Sequence, residues 1–345
     1  MSVYTHPNLR ALPFIWHKKQ RLLAAGVVAF SLLGLTAVPE LIHAGQPSVH
    51  QGIMENYQPQ KISEHVWMIE GPRSYPNPDN QGFMNNPGFI ISDTGVAVID
   101  PGSSAAIGRA LIARIKKQTS QPVTHVFTTH VHGDHWLANQ AIKDAFPDAR
   151  FYGHPEMIRL AEEGAAADWV GRMDTLTEGA TKGTEALIPT EALENGQVIK
   201  VGNMSIKAHL AQEKAHTTSD VMYEVLGDKV LFTGDNINHH RIVRMDDGSF
   251  SGSIAAAEYA LGLDIEKVVP GHGPVGGKLV LKMNLDYFST LYGAVKELRE
   301  DDLEPYEMKP EVAKRLAGFS EWSGFESELG KHISLSGLEA EEEDF

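Results

Sequence analysis

From residue 60 onward the chain breaks into short apolar runs at 65–70, 88–92 and 96–100, separated by clusters of Gly, Pro, Asn and Asp. Runs of this kind predict strands of one sheet. Residues 72–87, rich in Asn, Pro and Gly, are too polar and broken for a strand and predict a loop, with Phe83 and Met84 near its tip. At Ser103 the spacing becomes helical and stays so to Lys117. Ser103 or Ser104 supplies the N-cap, and Lys116 and Lys117 sit where the helix dipole favours cations. Residues 123–128 predict another strand and 136–146 a helix, so the chain alternates strand and helix as layered α/β folds do.

Residues 163–196 show no clear period beyond a short apolar turn at Trp169, Val170 and Met173. They read as an insertion, of the sort that is functional or disordered. Strands return at 206–210, 221–225, 230–233 and 267–269, with a helix at 254–263 between the last two. A long amphipathic helix follows at 278–299. Residues 301–345 predict a weakly helical tail whose acidic end is solvated and mobile.

The first 44 residues have a different character. A basic stretch at 17–21 precedes an uncharged run at 22–38, then Pro39 and the small residue Ala44. This is the order of a signal peptide, although the run is also nearly long enough to remain as an N-terminal membrane anchor, with residues 22–38 as the tether. Either way the body, expected as one catalytic domain over 55–300, is placed in the periplasm or outside the cell. The chain has no cysteine, which excludes thiolate nucleophiles and Cys-ligated metals. The net charge is −15; Arg10, Lys18, Lys19 and Arg21 against Glu40 give the leader +3, leaving −18 for the rest. A field of that sign repels nucleic acid, so no nucleic-acid partner is expected.

The chemistry concentrates at 128–135, Thr-Thr-His-Val-His-Gly-Asp-His, directly after an apolar strand. His130 and His132 are two apart in extended chain and leave the same face, so they can grip one ion while Asp134 and His135 reach another. Imidazole and carboxylate are the ligands of catalytic zinc sites, in which a position stays open for water. His216, Asp235 and His272 follow later strand-like runs and are expected to emerge at the same sheet edge, where α/β folds gather binding groups.

These residues resemble the metallo-β-lactamase superfamily motif His-x-His-x-Asp-His, followed by a distant His, a bridging Asp and a final His. The resemblance runs over residues 60–275. It implies a four-layer αββα sandwich, with His130, His132 and His216 on one metal, Asp134, His135 and His272 on the second, and Asp235 bridging them. It also implies that Asp100 orients the ligand shell. The superfamily covers hydrolases and persulfide dioxygenases, so the fold does not choose the substrate. The missing Cys ligand and the presence of Asp235 depart from true β-lactamases. Trp136-Leu137-Ala138-Asn139 departs from the Gly-Gly continuation usual in glyoxalase II. A leader joined to this motif resembles exported metallohydrolases of the periplasm.

The expected function is hydrolysis of an ester, thioester, lactone or amide of a small molecule by water activated between two zinc ions, with Asp134 as the catalytic residue orienting that water. One rival is an oxygenase with a single iron, like the persulfide dioxygenases. Another is a non-catalytic metal-binding protein. The residues expected to roof the pocket are Phe83, Met84, Asn85 and Asn86 from the 72–87 loop, Trp169 from the insertion, and His239. Such a mixed apolar and amide lining suits an uncharged or modestly polar substrate. The oligomeric state is not legible from sequence.

Overall fold

The computed structural model describes residues 52–343. The expected leader lies outside them, and among the described residues no helix is long and apolar enough to cross a membrane. Seven strands form the first sheet in chain order: β1 Gln60–Lys61, β2 Val66–Met68, β3 Gly88–Ile91, β4 Val96–Ile99, β5 Val123–Phe127, β6 Arg150–Gly153 and β7 Glu191–Ala192. β1 to β4 pair antiparallel, whereas β4 to β7 pair in parallel. Parallel neighbours need long crossovers. They are supplied by α1 (Ala105–Gln118), by α2 (Gly133–Trp136) with α3 (Asn139–Ala145), and by α4 (Pro155–Leu160) continuing through a π-helical turn into α5 (Ala166–Leu176).

The second sheet has β8 Val198–Val201, β9 Met204–Leu210, β10 Val221–Val225, β11 Val230–Phe232 and β12 Lys267–Val269, in the order β12-β11-β10-β9-β8. Only its last pair, β11 with β12, is parallel, and α6 (Phe250–Gly262) makes that crossover.

Period-two alternation stacks the layers. In β4, Val96 and Val98 face Leu111 and Ile142 of the outer helices, while Ala97 and Ile99 face Ile206, Tyr223 and Phe232 across the sandwich. The far face of the second sheet, with Met222, Leu231 and Val268, packs on α6 and on α7 (Lys278–Arg299) through Ala257, Ala260, Val280 and Leu281. The result is the four-layer αββα sandwich. Gly88 leaves room for the facing sheet, since a Cβ there would lie 2.1 Å from Cε1 of Phe232.

Three expectations need correction. The single helix at 136–146 is two short ones, because Ala138 N–H turns aside to donate to Gly102 O at 2.9 Å and ties the segment to the loop after β4. The insertion at 163–196 contains α5, which buries Met173 and directs Trp169 inward. The tail at 301–345, expected as weakly helical, is firmly helical and packed over most of its described length, with Glu341 to Glu343 exposed at its end. α8 (Pro305–Arg315), α9 (Phe325–Glu343) and the segment joining them bury Val312, Leu316, Trp322, Leu329 and Ile333 against Tyr287, Phe288, Leu291 and Val295 of α7. Glu326, Glu341, Glu342 and Glu343 of α9 are exposed, Glu328 is buried against Tyr75, and an apolar stripe at helical spacing does most of the packing. No break in packing marks the boundary expected at residue 300.

Candidate metal centre

Parallel pairing sets the C-terminal ends of β4 and β5 side by side, with Ile99 opposite Phe127. Asp100 and residues 128–132 therefore emerge together. Asp100 adopts φ +51°, which turns its buried carboxylate back over β5. It accepts from Thr129 N at 2.8 Å, Thr129 Oγ1 at 2.7 Å and His135 Nδ1 at 2.8 Å. His130 and His132 leave the strand end, and the single turn of α2 carries Asp134 and His135. From the second sheet, parallel pairing of β11 and β12 brings Asp235 beside His272. His216 arrives on the turn between β9 and β10, whose Thr217 N and Oγ1 both donate to the buried carboxylate of Asp220, at 2.7 and 2.9 Å.

All seven expected ligands converge. The ligand atoms of His130, His132 and His216 lie within 4.8 Å of one another, as do those of Asp134, His135 and His272, and those of His130, His135 and Asp235. Asp235 stands between the groups: Oδ2 is 3.8 Å from His216 Nε2 and 3.2 Å from His272 Nε2, and Oδ1 is 3.3 Å from His135 Nε2. Asp134 Oδ2 lies 3.4 Å from His135 Nε2 and 3.3 Å from His272 Nε2.

The ring nitrogens on the far side are held from behind. His135 Nδ1 faces Asp100, His132 Nε2 faces Asp247 Oδ2 at 3.1 Å, His272 Nδ1 lies 2.8 Å from Met84 O and 2.9 Å from Arg241 Nη1, and His130 Nδ1 meets Thr129 Oγ1 at 3.0 Å. A proton fixed on the rear nitrogen leaves a lone pair on the inward one, the usual support for a metal-binding imidazole. Inward Nε2 of His130, His135 and His272 and Oδ1 of Asp235 have no hydrogen-bond partner although buried. Such orphaned groups, clustered with nitrogen and oxygen donors and no sulfur, fit divalent metal ions.

Electrostatics agree with that fit. Burial, then the neighbouring imidazoles, push His130 well below the usual range, and burial with His132 pushes His216 down to about 3. Both rings are thus neutral and able to donate lone pairs. For His135 burial is the largest influence and opposes charge, but Asp134, Asp100 and Asp235 override it and raise its pKa well above the ordinary value. Burial likewise opposes charge on Asp134 and Asp235, yet His135 and His272 hold both carboxyls well below theirs.

The expected roof is only partly in place. Met84 and Trp169 line the cleft, the Trp169 ring 5.0 Å from that of His132. Phe83 does not: its apolar surface wins burial in the core against Tyr57, 5.1 Å away. Asn85 and Asn86 are buried braces, donating to Asp100 O at 2.7 Å and to Pro270 O and Gly273 O at 2.9 and 2.7 Å. His239 donates to Pro274 O at 2.8 Å and packs on His240 and Trp322, away from the cleft. In their place stand Tyr75, Arg172, Arg241, Arg244 and Asp247, so the lining is charged, not amide-rich. None of these five sits near a recognisable motif; Thr129, the other omission, adjoins one.

Fold and site together define a metal-binding αββα protein of the hydrolase kind. The chain belongs to the metallo-beta-lactamase superfamily, whose family model matches residues 80–272. It is 29% identical over 203 residues to a hydroxyacylglutathione hydrolase of Dictyostelium discoideum, a match spanning 56% of this chain and 60% of that one. It is 23% identical over 286 residues to a metallo-beta-lactamase type 2 of Bacillus sp. (strain 170), covering 78% and 98% of the two chains. The solved metallo-beta-lactamase from Pontibacter korlensis shares its fold, with a TM-score of 0.55 at 18% identity over 68% of this chain and 99% of that one.

Proposed function

We propose that this protein is a dinuclear zinc hydrolase that cleaves an ester, thioester, lactone or amide of a small molecule outside the cytoplasm. The observation that carries the reading is Asp235, whose two oxygens reach His135 and His272 on one side and His216 on the other. A carboxylate so placed suits a pair of ions better than the single iron of an oxygenase. The open cleft beside it suits catalysis better than a closed structural site.

His130, His132 and His216 would hold one ion, Asp134, His135 and His272 the other, and Asp235 both. Zinc in these positions supplies Lewis acidity that brings the pKa of water towards about 7. The chain's own groups do the rest. Asp100 and Asp247 fix two imidazoles, His135 and His132, in the tautomer that points a lone pair inward. Asp134 lines the cleft and is anionic, so it can orient water, hold the proton that water gives up and pass it on. In the net reaction the water oxygen bonds to the carbonyl carbon, the bond from that carbon to oxygen, sulfur or nitrogen breaks, and the leaving atom takes the proton.

The test is metal analysis of protein isolated from its native compartment, followed by a panel of esters, thioesters, lactones and amides. Two zinc ions per chain with turnover on the panel is the expected result. One iron per chain with oxygen consumption overturns the proposal. Asp134→Ala should fold and lose about 10²- to 10⁴-fold in turnover.

A further inference from the structure

We propose that Tyr259 is a second reactive centre of this protein, a nucleophile served by His209 and Glu224 in a cavity apart from the metal cleft, and that it takes the acyl group of an activated ester. This chemistry needs no metal ion.

The outer face of the second sheet carries His209 on β9 and Glu224 on β10, and α6 lays Tyr259 beside them. His209 is 2% exposed, with both ring nitrogens engaged. Nε2 lies 2.9 Å from Glu224 Oε2, and Nδ1 lies 2.8 Å from the Tyr259 hydroxyl. An ionised carboxylate only accepts, so the ring proton sits on Nε2 and Nδ1 presents a lone pair. The hydroxyl therefore donates to Nδ1, and among the described residues its oxygen has no other hydrogen-bond partner. Nucleophile, base and orienting carboxylate stand in line, the arrangement that activates a hydroxyl for covalent chemistry.

The protonation states suit those roles. Burial is the largest influence on His209 and lowers its pKa, against Glu224, which raises it, and with Lys207, which lowers it. The ring is neutral at pH 7 and free to take a proton. Burial, then Glu224, raises the pKa of the Tyr259 phenol, so free phenolate is scarce and a base is needed.

The hydroxyl end of this relay opens on space. Tyr259 is 50% exposed and lines a cavity of about 350 Å³. Leu210, Met222, Ala255 and Ala256 make much of its wall apolar, and it shares no lining residue with the metal cleft. A cavity of that size holds a small ligand. The pair Tyr287 and His332 gives the contrast, because hydroxyl and imidazole meet there at 3.0 Å, yet Tyr287 is 3% exposed within the core. A tyrosine that merely completes a buried network can be closed over in this way. Tyr259 is left within reach of a reagent.

In the reaction the Tyr259 oxygen bonds to the ester carbonyl carbon while its proton passes to His209 Nδ1. The bond from that carbon to the alcohol oxygen breaks, and the leaving oxygen takes the proton from His209. An acyl-tyrosine and a free alcohol result, with His209 restored.

The experiment treats the zinc-loaded protein with excess p-nitrophenyl acetate and follows acetylation of each tyrosine by peptide mass spectrometry. Tyr306, 76% exposed, is the internal standard. Tyr259 should be acetylated at least about 100-fold faster than Tyr306. Its rate should stay level from about pH 7 to 9, because its base is already neutral, whereas Tyr306 should gain about tenfold per pH unit as its phenolate grows. His209→Gln keeps an acceptor for the hydroxyl but supplies no base, so labelling of Tyr259 should fall about 100-fold and become as steep in pH as that of Tyr306. Glu224→Gln should slow the labelling and leave the profile level. Equal rates at Tyr259 and Tyr306, a wild-type Tyr259 rate that climbs with pH as Tyr306 does, or an unchanged rate in His209→Gln overturns the inference. If His209→Gln does not fold, the wild-type rates and their pH profiles decide.

Discussion

Replacing Asp100 with Asn isolates the electrostatic work of one buried carboxylate. Asn tolerates the φ of +51° found there, so the change adds little of the backbone strain that Ala would bring. The carboxylate serves Thr129 twice and His135 once, all within 2.8 Å. An amide has one acceptor oxygen and one donor nitrogen. If the oxygen stays with Thr129, the nitrogen faces His135 Nδ1 and demands a lone pair there. The ring proton then moves to Nε2, the inward atom that lies between Asp134 and Asp235. A support of this kind is worth about 10- to 100-fold in metal affinity, or about 1.4 to 2.7 kcal/mol. The assay is zinc competition against a calibrated chelator, with circular dichroism confirming the fold. Undiminished affinity in a folded Asp100→Asn protein would refute the tautomer reasoning. A loss confined to one of two zinc equivalents would place the damage at the ion that His135 shares with Asp134 and His272.

Two further perturbations probe other parts of the structure. In Gly271→Ala the new Cβ would sit 2.0 Å from Asp235 Oδ1 and 2.7 Å from the Gly234 carbonyl carbon, so the spanning carboxylate must move; zinc content measured by mass spectrometry should fall for both ions, and full loading would contradict the packing described. His332, buried between α7 and α9 with Nδ1 3.0 Å from the Tyr287 hydroxyl, is pushed down to about 4 by burial. The folded state keeps it neutral while the unfolded chain protonates near 6.5, so stability is unaffected above that pH and declines as pH falls towards 4, by about 3 kcal/mol in all. Urea midpoints of metal-free protein between pH 7 and 4.5 should fall more steeply for wild type than for His332→Gln, and parallel slopes would count against the burial argument.

Much of this architecture was legible because it is local. Six of the seven candidate ligands closely follow the ends of β5, β11 and β12, where parallel pairing of β4 with β5 and of β11 with β12 turns that sequence position into spatial convergence, and His216 joins them from the β9–β10 turn. What escaped depends on tertiary placement. Asp247 supports His132 from 115 positions away, and Tyr75 and Arg241 meet across the mouth of the cleft with no motif between them. Phe83 misled because an aromatic in a polar loop resembles a roof residue, whereas the larger gain is to bury it. α9 misled through its charges: the acidic residues dominate the composition, and the spacing of Phe325, Leu329 and Ile333 behind them carries the packing.

The contacts of α9 have a practical corollary for dissecting the molecule. Glu328 anchors Tyr75 over Arg241, and Lys331 grips Asp246, the neighbour of the aspartate behind His132. Trimming the polypeptide at the end of α7 would strip the scaffolding from both sides of the cleft while sparing every candidate ligand and the α7 layer on the second sheet. Fragments so shortened are expected to load metal yet handle ligands poorly, which would make them misleading stand-ins for the intact protein in any screen for inhibitors.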